Sequence, residues 1–181
     1  MKGIQYKMAQ KKEHVQTHYL VTENYLMTRD AALHFPAKQF ANMISDTHSV
    51  YGMVIDMPID PRTLCTLVVY INGAANLYFN NGGAYTGASQ RYQTVVQAGR
   101  LLVANAPRIL GEAKKTTKFA LPTAQPHHIY LLTKNGIYEK EVHPNAVKEE
   151  SADMQAVYFL YQQVMRELRS AQLKDRATVQ K

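Results

Sequence analysis

The sequence predicts an α/β protein of the α+β type: a single antiparallel sheet of about five strands with long helices packed on one face. Two Asn-Gly pairs, Asn72-Gly73 and Asn135-Gly136, each stand between apolar strand-like runs. A tight type I′ turn needs positive φ at both central positions, which Asn and Gly tolerate best. A long amphipathic helical pattern follows each hairpin and a shorter one precedes them, so the order reads helix, strands, helix, strands, helix.

Residues 1–35 read as an N-terminal arm or small hairpin, 36–171 as a single α+β domain and 172–181 as a polar tail. In the arm, Val15, Thr17, Tyr19 and Val21 alternate with Gln16, His18 and Thr22, the pattern of a hairpin strand, while a helix over 22–34 fits nearly as well. Pro36 suits a first helical turn, and Phe40, Met43, Ile44 and Thr47 at helical spacing predict a helix over 36–48. Tyr51, Met53, Ile55 and Met57 alternate as a strand, closed by a proline turn at 58–62.

The first hairpin pairs 64–71 with 74–79. A two-residue loop at Asn72-Gly73 would set Val68 against Leu77, Tyr70 against Ala75 and Leu67 against Tyr78. Both faces of this ribbon are then apolar, and such a ribbon must be covered on both sides, by another part of the chain or by a second subunit. Ser89 is placed as the N-cap of a helix of about six turns, with Pro107 inside it and Gly111 at its end. A lysine-rich linker at 114–118 and an edge strand at Phe119-Ala120-Leu121 lead to the second hairpin, 129–133 with 137–142. The last helix, from about Ser151 to Ala171, buries Met154, Val157, Tyr158, Tyr161, Val164, Met165 and Leu168.

This order of elements over residues 36–171 resembles the secretion-chaperone-like fold and the roadblock and longin domains of the profilin-like class. The resemblance implies one sheet with helices on one face, a homodimer and a non-enzymatic binding or adaptor role. Secretion chaperones of that kind are usually acidic, whereas this chain carries a formal net charge of +7.

Apolar residues at 46% against 19% charged exclude a disordered chain. The single cysteine, Cys65, sits in an apolar run, so a buried, reduced thiol is expected. No run reaches the roughly 18 apolar residues of a membrane span, and no secretory signal is read, which makes a cytoplasmic protein the expectation. The basic residues are scattered rather than striped along one helix; an acidic protein partner fits them better than nucleic acid, for which the basic termini are the remaining candidate.

Two constellations carry candidate chemistry. The loop at 80–89 runs from a strand to a helix start, where the amides of Gly82, Gly83 and Gly87 with Tyr85 and Ser89 would hold an anion or nucleotide, although it matches neither a Walker loop nor a dinucleotide fingerprint. In the second hairpin, a loop at Asn135-Gly136 would place His128 opposite His143 with Glu141 beside them, a possible zinc or nickel site. No serine or cysteine has the setting of a nucleophile, and no cofactor motif is present. The function expected is therefore a homodimeric protein-binding, adaptor or chaperone-like module, with a small-molecule or nucleotide-binding protein, possibly an enzyme, as the alternative.

Overall fold

In the computed structural model, which describes residues 19–46 and 49–180, the expected antiparallel sheet is present and has seven strands. Of the arm or small hairpin predicted over 1–35, residues 1–18 lie outside the described residues. The strands are β1 (Val50–Asp60), β2 (Thr63–Tyr70), β3 (Ala75–Phe79), β4 (Ala84–Tyr85), β5 (Lys114–Thr116), β6 (His127–Thr133) and β7 (Gly136–Val142). They lie in the order β4-β3-β2-β1-β6-β7-β5, which puts β1 at the centre.

The long helices cover one face, as expected. Between β4 and β5 the chain crosses that face as α2 (Ala88–Arg91), α3 (Gln93–Asn105) and a 3₁₀ segment at Ala106–Glu112. Tyr92, in extended geometry, splits the anticipated six-turn helix at its start, Gly87 rather than Ser89 stands at the cap, and Pro107 opens the 3₁₀ segment. The final helix α4 (Ala152–Val179) begins at Ser151, whose hydroxyl accepts the Met154 amide at 3.0 Å. It continues through the residues read as a tail, so 172–179 are helical. Its buried stripe, Met154, Val157, Tyr161, Val164, Leu168 and Ala171, packs with Val95, Leu102, Val103 and Ile109 onto Met53, Ile55, Leu67, Val69, Ile129 and Leu131 of the sheet.

The opposite face is closed by the chain's own N-terminal segment. Residues 23–33 form helix α1 (Glu23–Leu33), the helical one of the two readings of this stretch, capped by Thr22 Oγ1 accepting the Tyr25 amide at 3.2 Å. Of the helix predicted over 36–48, whose last two residues lie outside the described ones, the described part forms only a short 3₁₀ turn at Ala37–Phe40. Leu33, Phe40 and Ile44 pack there on Tyr51, Val54, Val68, Tyr70, Tyr130 and Leu132. The ribbon that is apolar on both faces is thus sandwiched within one chain.

Both hairpins depart from the predicted register, each for a turn-chemical reason. At the first, Tyr70 and Ala74 close a three-residue loop with Gly73 at φ +87°, the type I turn plus bulge geometry. Leu67 therefore faces Leu77 and Val69 faces Ala75. This slip of one residue moves Leu77 to the α4 face and Tyr78 to the α1 face. At the second, the loop is Lys134-Asn135, so Thr133 faces Gly136 and His128 faces Glu141 rather than His143. The lysine-rich linker supplies edge strand β5, and Phe119-Ala120-Leu121 is not a strand.

Helix α3 rests on the first turn through two glycines. A Cβ on Gly73 would lie 2.6 Å from the Val96 carbonyl oxygen, and one on Gly99 would lie 3.1 Å from that of Gly73. Gly73→Ala combines a backbone strain of about 1–3 kcal/mol with this clash, so its urea-unfolding midpoint should fall well below that of the parent. An unchanged midpoint would show that α3 does not sit on this turn.

Candidate functional sites

The α1 face carries a polar row that crosses five strands. Cross-strand pairing places Tyr78 beside Thr66, Thr66 beside Asp56, Asp56 beside His128 and His128 beside Glu141. At its centre Asp56 is fully buried on β1, and α1 answers it with Arg29, also buried. The guanidinium gives Nη2 to Asp56 Oδ2 at 2.6 Å and Nε to both carboxylate oxygens at 3.0 and 3.1 Å. Thr66 donates to Asp56 Oδ1 at 2.7 Å; having spent its only proton there, its oxygen must accept from the Tyr25 hydroxyl at 2.5 Å. Arg29 Nη1 donates to the Phe119 carbonyl at 2.9 Å, and its plane lies over the Tyr130 ring at 5.6 Å. Burial works against the Arg29 charge, but the Asp56 carboxylate outweighs it and raises the guanidinium pKa. Burial likewise raises the Tyr25 hydroxyl.

At the β6–β7 end of the row, alternation puts Glu139 on the same face as Glu141 and His128. His128 Nε2 lies 3.3 Å from Glu141 Oε1, and Nδ1 lies 3.5 Å from Glu139 Oε1. Of the expected metal trio, the structure brings together His128 and Glu141. His143 stands exposed beyond the strand as the cap of the 3₁₀ segment Pro144–Glu149, and Glu139 takes its place.

The neighbouring His127 points to the other face. Its Nδ1 is 2.9 Å from the Tyr161 hydroxyl and its ring stacks on Tyr158. Burial, with a smaller contribution from His128, holds His127 down at about 4. A buried thiol is also found as expected: burial pushes Cys65 up to about 12, which leaves it unreactive at neutral pH.

The loop at 80–89 is spent on the fold. Asn80 is buried, accepts the Leu64 amide and donates to the Leu20 and Arg62 carbonyls, which ties the N-terminal segment to the sheet. The amides of Gly82, Gly83 and Gly87 donate to the Phe79 carbonyl, Asn81 Oδ1 and Asn76 Oδ1 respectively. The Tyr85 and Tyr92 hydroxyls, with Arg91, converge on Asp175 of α4 at 2.6–2.7 Å, and these contacts, Arg91 first, hold the Asp175 carboxyl below its usual range. Ser89 sits half-buried inside α2. These groups do not converge on a common anion position: each glycine amide already has an intramolecular acceptor.

On the α4 face, β3 and the last turns of α4 border a groove of about 420 Å³. Leu77, Phe79, Met165 and Leu173 form its apolar floor and wall, and Arg166, Arg169 and Arg176 rim it. None of the three arginines pairs with a carboxylate among the described residues. A second hollow, lined by Tyr85, Gln172, Arg176 and Val179 among others, prolongs the groove toward the helix end. Along the chain these arginines read as scattered charge; α4 brings them onto one side because they recur at helical spacing. Among the described residues, no helix is long and apolar enough to cross a membrane.

Comparisons with protein-family models, curated proteins and solved structures found no match, so the geometry carries the functional reading.

Two outcomes follow from the polar groups. Removing Arg29 alone strands a buried carboxylate, so Arg29→Ala should cost about 3–5 kcal/mol in urea unfolding. The apolar double variant Arg29→Met/Asp56→Leu should lose less than Arg29→Ala; equal losses would mean that the pair is not coupled. For His127 the folded pKa lies below the unfolded value of about 6.5, so the unfolded chain binds the proton first. Stability should fall as pH drops from about 6.5 to about 4, and His127→Gln should flatten that slope of the unfolding midpoint.

Proposed function

We propose that the protein is a binding module whose partner presents an acidic, partly apolar segment, taken up in the trough between β3 and α4. The observation that carries this reading is the rim of Arg166, Arg169 and Arg176 around Leu77, Phe79, Met165 and Leu173, three guanidinium groups without carboxylate partners among the described residues, beside an apolar floor. Arginine is suited to this role: it is weakly hydrated, always charged and able to grip a carboxylate through two parallel hydrogen bonds. A formal net charge of +7 adds long-range steering toward such a partner and works against a second copy of the same chain.

Homodimer formation was expected because the central ribbon is apolar on both faces. Since α1 and the α3–α4 layer cover those faces within one chain, the ribbon no longer requires a second copy, and the adaptor reading rests on the groove alone. A non-enzymatic role accords with the use of the loop amides, Tyr85 and Asp175 in holding the fold together.

The test is fluorescence anisotropy with a labelled peptide that alternates Glu or Asp with Leu and Phe, run beside a peptide of reversed charge and a single-stranded oligonucleotide. The acidic peptide should bind, weaken with salt, and lose affinity about tenfold or more in Arg166→Glu/Arg169→Glu. Equal binding of both peptides, or preference for the oligonucleotide, would contradict the reading.

A further inference from the structure

The geometry points to a divalent transition-metal site formed by His128, Glu139 and Glu141 on the rim of the α1 face, on the side of the sheet opposite the arginine groove and independent of it. Pairing fixes the set: His128 and Glu141 are direct cross-strand partners on β6 and β7, and Glu139 lies two residues along on the same face. One ligand atom from each of the three lies within 4.8 Å of the others. In a tetrahedral zinc site with bonds of about 2.0–2.2 Å, neighbouring ligand atoms stand about 3.3–3.5 Å apart. Glu139 Oε1 already stands at such a distance from His128 Nδ1, 3.5 Å, while Glu141 Oε1 lies 3.3 Å from Nε2, the other ring nitrogen. A site at Nδ1 needs Glu141, which is exposed, to swing its carboxylate from Nε2 to the side of Glu139.

The second observation is the state of His128. It is 8% exposed, yet its Nδ1 makes no hydrogen bond among the described residues and has only the 3.5 Å approach of Glu139 Oε1. A buried polar nitrogen without a hydrogen bond costs roughly 1–3 kcal/mol, and a cation held between Nδ1 and Glu139 supplies the missing interaction. The ring is also fixed from behind, with the edge of Tyr130 at 6.5 Å and the Asp56–Arg29 pair on the adjacent strand.

The donor set selects the class of ion. One imidazole and two carboxylates, with no thiolate, suit zinc, manganese or cobalt(II) rather than copper(I), and Ca²⁺ would want six or more oxygens. Glu141 is exposed, and a hollow of about 360 Å³ lined by Glu112, Lys114, Glu139, Lys140 and Glu141 opens beside it. An ion held by three protein groups there keeps a solvent-facing position, the arrangement in which a bound water remains exchangeable. Lys114, opposite Glu139 on β5, and the Asp56–Arg29 pair are the charged neighbours of the site on this face. The lysine lowers the affinity without filling the position.

Isothermal titration of the untagged full chain with Zn²⁺, and the visible spectrum of the Co²⁺ form, test this directly. One equivalent of zinc should bind, and cobalt should show the intense bands of tetrahedral nitrogen–oxygen ligation. Glu139→Gln/Glu141→Gln should weaken zinc about tenfold or more while leaving the metal-free circular dichroism unchanged, and Lys114→Ala should tighten it. Because Glu141 is exposed, the single variant Glu141→Gln serves if the double variant folds poorly, and His14→Ala/His18→Ala should bind as the parent does. No zinc uptake at micromolar concentration, or uptake unaffected by Glu141→Gln, would overturn the assignment.

Discussion

The buried Arg29–Asp56 pair is the constraint on which the rest of the structure depends. A sheet that is apolar on both faces needs two covers, and α3 with α4 provides only one. The second is short: eleven residues of α1 and a single 3₁₀ turn. A helix of that length is marginal alone and must be held by tertiary contacts. The charge at the centre of β1 supplies a directional one. Asp56 can be buried only where a cation and further donors meet it, and Arg29, Thr66 and, behind Thr66, Tyr25 occupy those positions. The same guanidinium holds the Phe119 carbonyl, so one side chain fixes helix, sheet and the connection into β6 together.

The pair also organises its surroundings. Thr66, Asp56, His128 and Glu141 fall in one row because antiparallel registers align them, so the buried pair at the centre and the exposed rim belong to a single polar stripe. At the centre every hydrogen-bonding group of Asp56 is met within the chain. At the rim His128 faces two carboxylates, and its Nδ1 makes no hydrogen bond among the described residues. On the opposite face the polar groups fall in separate places, the His127–Tyr161 contact, the cluster on Asp175 and the arginines of α4.

Much of this architecture was legible. Alternation of Tyr51, Met53, Ile55 and Met57 gave β1, helical spacing from Met154 to Leu168 gave α4, and the need for cover on both sides of the first hairpin followed from its composition. The registers were not, because Asn-Gly signals a turn without fixing which two or three residues form it. Ile71 joined the first loop, which turned Leu77 and Tyr78 to the opposite faces, and Lys134 joined the second, which kept the faces but set Glu141 in place of His143 opposite His128. Helix α1 was obscured because its buried stripe, Tyr25, Arg29, Ala32 and Leu33, contains a charge at its centre. The signal for the ion pair was Asp56 itself, a carboxylate at a core-facing strand position; its partner 27 residues earlier had no local mark. For the metal trio, alternation puts His128, Glu139 and Glu141 on one face, whereas the true register was needed to bring the two glutamates, rather than His143, alongside His128.

Amide hydrogen exchange of the full chain, read residue by residue, tests most directly whether α1 is an integral cover of the sheet. If Arg29 and Asp56 bind helix and sheet into one unit, amides in the middle of α1 open with the same free energy as those of β1 and β2, and only with global unfolding. Exchange of α1 orders of magnitude faster than the sheet, with β1 and β2 still fully protected, would contradict the account.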